Sequence, residues 1–222
     1  MRRLIAEAIG TFILVFTGTW AIVLNDLSHG TVTHTGVSLT FGAAVSLIIV
    51  LFGTISGAHV NPAVTIGLFV AGRFPGKHIL LYVMSQCVGA ILASRFLLYL
   101  FPHHATLGAT IPIGDVWLSF VLEFYMTFLL MFIILRINAL SNASIFFVAL
   151  SVGTVVGLEA FFGGPISGAS MNPARSFAPA LISGIMEHLW VYLLAPVLGS
   201  ITAAAVCRCT DTGHCCGKVA YE

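Results

Sequence analysis

Apolar residues run through this chain in long unbroken blocks, not in the every-third-or-fourth rhythm of a helix with one wet face. Six blocks are long enough to cross a bilayer: 4–24, 35–55, 78–101, 116–135, 144–162 and 188–206. Two shorter apolar stretches, 63–71 and 174–185, fall between the second and third blocks and between the fifth and sixth. Each follows an Asn-Pro pair. Asn is a strong N-cap, and Pro suits the first helical position because its missing N–H is an orphan donor there anyway. At 1.5 Å per residue, about ten residues reach only ~15 Å, half of a ~30 Å hydrocarbon core. The pattern predicts two half-helices, each starting in the middle of a membrane.

The two Asn-Pro pairs sit in a repeat. Ser56-Gly57-Ala58-His59-Val60-Asn61-Pro62-Ala63-Val64 returns as Ser167-Gly168-Ala169-Ser170-Met171-Asn172-Pro173-Ala174-Arg175, 111 positions later. Earlier in each half, Ala6-Glu7-Ala8-Ile9-Gly10-Thr11-Phe12 is answered by Leu122-Glu123-Phe124-Tyr125-Met126-Thr127-Phe128. Three spans per half is an odd number, so the halves insert with opposite orientation. Inverted repeats of this kind place a solute path near the midplane, where broken helices meet. The expected architecture is an all-α membrane protein with six transmembrane helices plus two re-entrant half-helices. It forms a single channel domain over 1–206, with inverted repeats at 4–101 and 116–206, and a Cys-rich tail over 207–222.

Composition agrees. The chain is 59% apolar and 8% charged, with a mean hydropathy of +1.05; a soluble domain is about a quarter charged. The first apolar block is too long and glycine-rich for a cleavable signal. A net charge of +1 points away from nucleic acid. Arg2, Arg3, Arg73, Lys77, Arg136, Arg208 and Lys218 all fall on one side, whereas the opposite connections 25–34 and 102–114 carry no Lys or Arg. The positive-inside rule puts both termini in the cytoplasm of a multi-pass protein, expected in the cell membrane. Gly10, Gly42, Gly89, Gly153 and Gly157 lie within spans, where small residues let helices approach closely.

The paired boxes, Asn61-Pro62-Ala63 and Asn172-Pro173-Ala174, carry the chemistry. Each half-helix N-terminus holds roughly half a positive charge. Two of them aimed at the midplane raise a barrier to cations and protons. The Asn amides can cap the helices and still offer N–H donors to a neutral solute. A water held by both turns its hydrogens outward, which breaks a proton wire. Arg175 follows the second box by one turn, where the first has Val64. An arginine inside apolar sequence marks a functional site.

These features resemble the aquaporin (major intrinsic protein) family over about residues 4–206. The resemblance implies a passive channel, a homotetramer with one pore per subunit, and no cofactor. It further implies that Glu7 and Glu123 brace the re-entrant loops. By the family's spacing, an outer selectivity filter falls on Phe41, Ala160, Ala169 and Arg175. Water-only members carry His where Ala160 stands, so a methyl here implies a wider, more apolar constriction, while Phe41 is bulkier than in the widest members. Glycerol facilitators usually have Asp after the arginine and a basic residue four further on; here these are Ser176 and Ala180. The run 164–172 and Tyr192-Leu193 are similar to nodulin-26-like channels, which implies water plus glycerol or metalloid hydroxides such as arsenite, boric and silicic acid. The alternative is a water-selective aquaporin.

Three groups lie outside this scheme. Glu159 and Arg95 are unexpected charges within spans, and three readings stay open: they pair, Glu159 orients Arg175, or each faces a wet vestibule. His59 is either a pH sensor or a static neighbour of pore-lining carbonyls. Cys207, Cys209, His214, Cys215 and Cys216 offer soft ligands for zinc, copper(I) or trivalent arsenic. Their spacing matches no standard zinc site, cytosolic thiols are expected to stay reduced, and no metal is assigned. Nothing resembles a nucleophile–base pair or a phosphate loop, so no enzyme activity is expected. A coupled transporter would want a titratable group at the midplane, where the boxes supply amides. The expected partners are membrane lipid, water and small neutral solutes.

Overall fold

The structure, a computed structural model, describes residues 1–140 and 143–210, with side chains described through 208. Among these residues all regular structure is helical: α1 (Arg2–Leu27), α2 (Thr33–Ser56), α3 (Pro62–Val70), α4 (Ile79–Leu100), α5 (Val116–Ile137), α6 (Ile145–Ser167), α7 (Pro173–Ser183) and α8 (Leu189–Thr210), with a 3-10 turn at Gly76–His78 before α4. Six helices are long and apolar enough to span a bilayer. The short helices α3 and α7, of 9 and 11 residues, are the half-helices the Asn-Pro pairs predict. Asn61 and Asn172 occupy their N-caps in extended backbone, and Gly184, left-handed at φ +82°, caps α7 after Ser183, two residues before the expected 185.

The packing repeats across the two halves. α1 lies on α4 as α5 lies on α8, α3 on α8 as α7 on α4, and α2 packs on α6 across the pseudo-twofold axis. Three of these seams depend on missing side chains. A methyl at Gly89 would strike the carbonyl of Ala8, one at Gly199 that of Phe124, and one at Gly42 that of Gly153. Ala8 and Phe124 occupy matching positions of the sequence repeat, so the halves share a contact as well as a motif.

Helix ends are closed by side chains. Asp115 and Ser144 cap the starts of α5 and α6. On the face that carries the N-terminus, Arg73 Nη1 donates to the carbonyl of Leu135 at 3.1 Å and Arg208 Nη1 to that of Val70 at 2.8 Å. Both therefore serve helix C-termini, where the macrodipole favours a cation.

Three spans end a few residues beyond the sequence expectation: α1 at Leu27, α8 at Thr210 and, furthest, α6 at Ser167. α6 continues five residues beyond 162, straight through Pro165. Proline lacks the N–H that would serve the carbonyl four residues back, that of Phe161. His34, on the first turn of α2, fills the gap: its Nε2 meets that carbonyl at 2.7 Å. The helix survives its proline because a neighbour replaces the lost donor.

Candidate functional site

The site is built from two buried carboxylates upward. Glu7 and Glu123 are fully buried. Oε1 of Glu7 accepts from the Ser56 hydroxyl at 2.7 Å and the His59 amide at 2.9 Å, and Oε2 from the Val60 amide at 2.8 Å. Glu123 repeats this with Ser167 and Ser170 at 2.8 Å each and Met171 at 2.7 Å. These amides would otherwise stand unpaired in an apolar interior. Tyr82 and Tyr192 pin the same turns from α4 and α8, donating to the carbonyls of Ser56 and Ser167.

Turning the amides toward the carboxylates sends the carbonyls the other way, because N–H and C=O of a trans peptide point in opposite directions. The carbonyls of Ala58, His59, Ala169 and Ser170 therefore face away from Glu7 and Glu123. Alternating left-handed backbone makes this possible: Ala58 and Val60 have φ of +48° and +42°, Ala169 and Met171 +42° and +54°. Four non-glycine residues held in this region are strain stored where two chain segments meet.

There the two boxes cross-link. Asn61 Nδ2 donates to the Met171 carbonyl at 2.7 Å, and Asn172 Nδ2 to the Val60 carbonyl at 2.8 Å. Each Oδ1 meanwhile caps its own half-helix, accepting from Ala63 at 2.8 Å and from Ala174 at 3.0 Å. One hydrogen of each NH2 is thus used across the interface and the second is left over. Both asparagines border a cavity of about 520 Å³. Pro62, Ala63, Pro173 and Ala174 are buried in the first turns behind them. One cavity wall is apolar, made by α2, α5 and α6 with Phe41, Val45, Ile49, Leu130, Val152 and Val156; the other is the two strained loops.

Phe41, Ala160, Ala169 and Arg175, from four separate elements, border this same cavity. The Arg175 guanidinium carbon lies 5.1 Å from the centroid of the Phe41 ring, within cation–π range. Arg175 is 2% exposed and its Nη1 donates to the Gly108 carbonyl at 3.0 Å, while its Nε has no protein partner. Gly108 lies on the 101–115 connection, which folds back over α7; Thr110 Oγ1 also donates to Ser176 Oγ at 2.7 Å.

The outlying candidates divide. His59 is buried between the rings of Phe74 and Tyr82, with Nδ1 3.2 Å from Thr65 Oγ1, and borders the cavity as a fixed neighbour of the loop carbonyls. Glu159 is buried in α6 and neither oxygen has a hydrogen-bond partner, while Arg95 is exposed on α4. They do not pair, Glu159 does not hold Arg175, and Glu159 is not among the cavity residues. Cys207 is buried and disulfide-bonded, which corrects the expectation of a reduced thiol and removes its sulfur from a thiolate ligand set. The side chains of Cys209, His214, Cys215 and Cys216 lie outside the described residues.

Sequence reasoning missed four contributors: Gln86, Gly108, His34 and Tyr82. Gln86 Nε2 donates to Glu7 Oε2 at 2.7 Å and to Thr65 Oγ1 at 3.0 Å. A signal existed for two of them. Gln86 is a lone amide in an apolar run, and Tyr82 is matched by Tyr192 in the repeat.

A family model described as Major intrinsic protein matches residues 1–207. The chain is similar to nodulin-26 from Glycine max, 41% identical over 207 residues that make up 93% of this chain and 76% of that protein. It is also similar to a probable aquaporin NIP-type from Nicotiana alata, 42% identical over 208 residues, with 93% and 76% covered. Among solved structures it resembles the aquaglyceroporin from Plasmodium falciparum, with a TM-score of 0.84 and 25% identity over 92% of this chain and 93% of that one.

Proposed function

Given that this chain belongs to the major intrinsic protein family, a family of membrane channels, we propose that it is a passive channel for water and small uncharged solutes, glycerol and metalloid hydroxides among them, that excludes ions and protons. The solute enters the cavity along the apolar wall, exchanges hydrogen bonds with the loop carbonyls, and meets the spare N–H of Asn61 and Asn172 at the midplane. The positive ends of α3 and α7 repel cations there. Arg175 adds a full charge one turn further out. Neutral hydroxyl compounds pass because each group they leave in water is replaced by a carbonyl or an amide.

The observation that carries the wider solute range is Ala160. It borders the cavity together with Phe41, Ala169 and Arg175, and a methyl at that point leaves both room and apolar surface for a carbon backbone or a flat trihydroxide. A second reading, a water-selective channel, draws support from Phe41, whose ring lies against the guanidinium and narrows the same passage. Seven basic residues on one side favour cytoplasmic termini in a cell membrane, and the family resemblance favours a homotetramer with one pore per subunit. Glu7 and Glu123 act as braces for the loops.

Stopped-flow light scattering on proteoliposomes tests the reading, with separate osmotic, glycerol and boric acid gradients on the parent and on Ala160→His. The expected result is that the parent passes all three and the variant passes mainly water. A parent that passes water alone establishes the water-selective reading.

A further inference from the structure

We propose that His104 is a positioning residue for the constriction: its imidazole clamps the turn that presents the Gly108 carbonyl to Arg175. The inference rests on the channel reading above and adds a determinant of solute passage outside the cavity wall.

The His104 side chain is 8% exposed. Its Nδ1 accepts the backbone N–H of Leu107 at 3.0 Å and lies 3.4 Å from that of Thr106. A ring nitrogen that accepts carries no proton, so the ring hydrogen sits on Nε2. That nitrogen lies 3.4 Å from Asp26 Oδ2, at the end of α1. One ring therefore ties the 101–115 connection to α1 and dictates the direction of two amides at once.

The consequence appears in the next two residues. Leu107 is held in left-handed backbone at φ +50°, which a branched side chain adopts only under constraint. Its side chain is 1% exposed and packs with Val23 and Leu97. Gly108, at φ +72°, lies so close to Thr19 of α1 that an added Cβ would strike Thr19 Cα and Cβ. Only in this turn does the Gly108 carbonyl point at Nη1 of Arg175, 3.0 Å away. Beyond Gly108 the connection is held by Thr110 on Ser176 and by the Ile113 amide on the Ile166 carbonyl. Before it, between the end of α4 and Leu107, two side chains turn the backbone: His104, and Thr106, whose Oγ1 accepts the Gly108 amide at 3.3 Å, while the Ala109 amide closes the turn on the Thr106 carbonyl at 2.9 Å.

Removing the clamp releases the amides of Thr106 and Leu107 and loosens the turn that aims the Gly108 carbonyl, the one protein acceptor for Nη1 of Arg175 among the described contacts. A released Arg175 swings over the passage, which obstructs a wide solute more than a water molecule. The test uses the full chain in proteoliposomes and compares glycerol with water permeability for the parent, His104→Ala and His104→Asn. In the Asn variant the side-chain oxygen can take the place of Nδ1 as acceptor for the same amides, as in an Asx turn. The expected result for His104→Ala is a fall in the glycerol-to-water ratio of about fivefold, the worth of one ordinary hydrogen bond, with the parent ratio restored in His104→Asn. An Ala variant with the parent ratio, or an Asn variant as impaired as Ala, overturns the proposal. If the parent passes water alone, the solute reading fails by itself. His104 is then judged on water permeability: reduced by Ala and restored by Asn supports the clamp, and any other pattern overturns it.

Discussion

Gln86 donates its side-chain amide to Oε2 of Glu7 at 2.7 Å, and the second half has no counterpart. In the register that matches Tyr82 to Tyr192, the position answering Gln86 is Pro196. Among the described residues Glu7 has four donors where Glu123 has three. The inverted repeat is thus closely symmetric in its backbone and unequal in its bracing.

Replacing Gln86 with leucine leaves Glu7 Oε2 with the Val60 amide alone and strips Thr65 of a donor. The expected loss of stability is ~1–3 kcal/mol, the range for removing one partner of a buried polar group. Thermal unfolding in detergent, followed by tryptophan fluorescence, reads this as a lower Tm. An unchanged Tm would mean that the carboxylate is already served by water.

Glu7→Gln and Glu123→Gln exchange an oxygen that accepts for an NH2 that only donates, facing amides that also donate. At least one backbone N–H per variant is left without an acceptor, at a cost of about 1–3 kcal/mol each, and the loop carbonyls lose their fixed direction. Both variants should lose water permeability in proteoliposomes at equal protein content. Permeability equal to the parent in either one would refute the bracing role.

Arg175→Val places at the second box the residue that Val64 supplies at the first. It removes a full positive charge from a low-dielectric passage, where such a charge acts far more strongly than in water. Vesicles carrying this variant should dissipate a pH gradient faster than parent vesicles, read with an internal pH dye. An unaltered proton leak would assign the whole barrier to the two half-helix ends.

His34 and Pro165 should be coupled. His34→Ala strands the Phe161 carbonyl and is expected to cost about 0.5–1.5 kcal/mol. In a Pro165→Ala background the new amide serves that carbonyl, so the same His34→Ala change should cost almost nothing. A double-mutant cycle on Tm measures the difference. Equal costs in both backgrounds would show that the contact with His34 does not replace the proline's missing donor.

The spans, the half-helices and their inverted arrangement were legible because each rests on local chemistry: uninterrupted apolar length, Asn-Pro at a helix start, and an odd number of crossings per repeat. The α6 boundary was not, because the donor that lets the helix pass Pro165 comes from His34, 127 positions from the Phe161 carbonyl it serves. Phe41, Ala160, Ala169 and Arg175 could be listed from spacing, but the acceptor for Arg175 could not. Gly108 sits in a polar connection whose path depends on an imidazole, a left-handed leucine and a close approach to Thr19, none of which has a periodic signature. Glu159 shows the reverse case. The sequence flags it plainly as a charge inside a span, yet its carboxylate is buried without a protein partner, and no role follows from its position.

The reciprocal clasp of the two boxes also sets an order of events at birth. The Asn61 amide and its acceptor, the Met171 carbonyl, are 110 positions apart, and the return contact from Asn172 to Val60 spans 112. At roughly 5–20 residues per second, the ribosome delivers the first segment about 5–20 seconds before its partner exists. Through that interval the first loop has only its own half to hold it, and there Glu7 has the additional donor from Gln86. The extra bond falls in the half that has to wait.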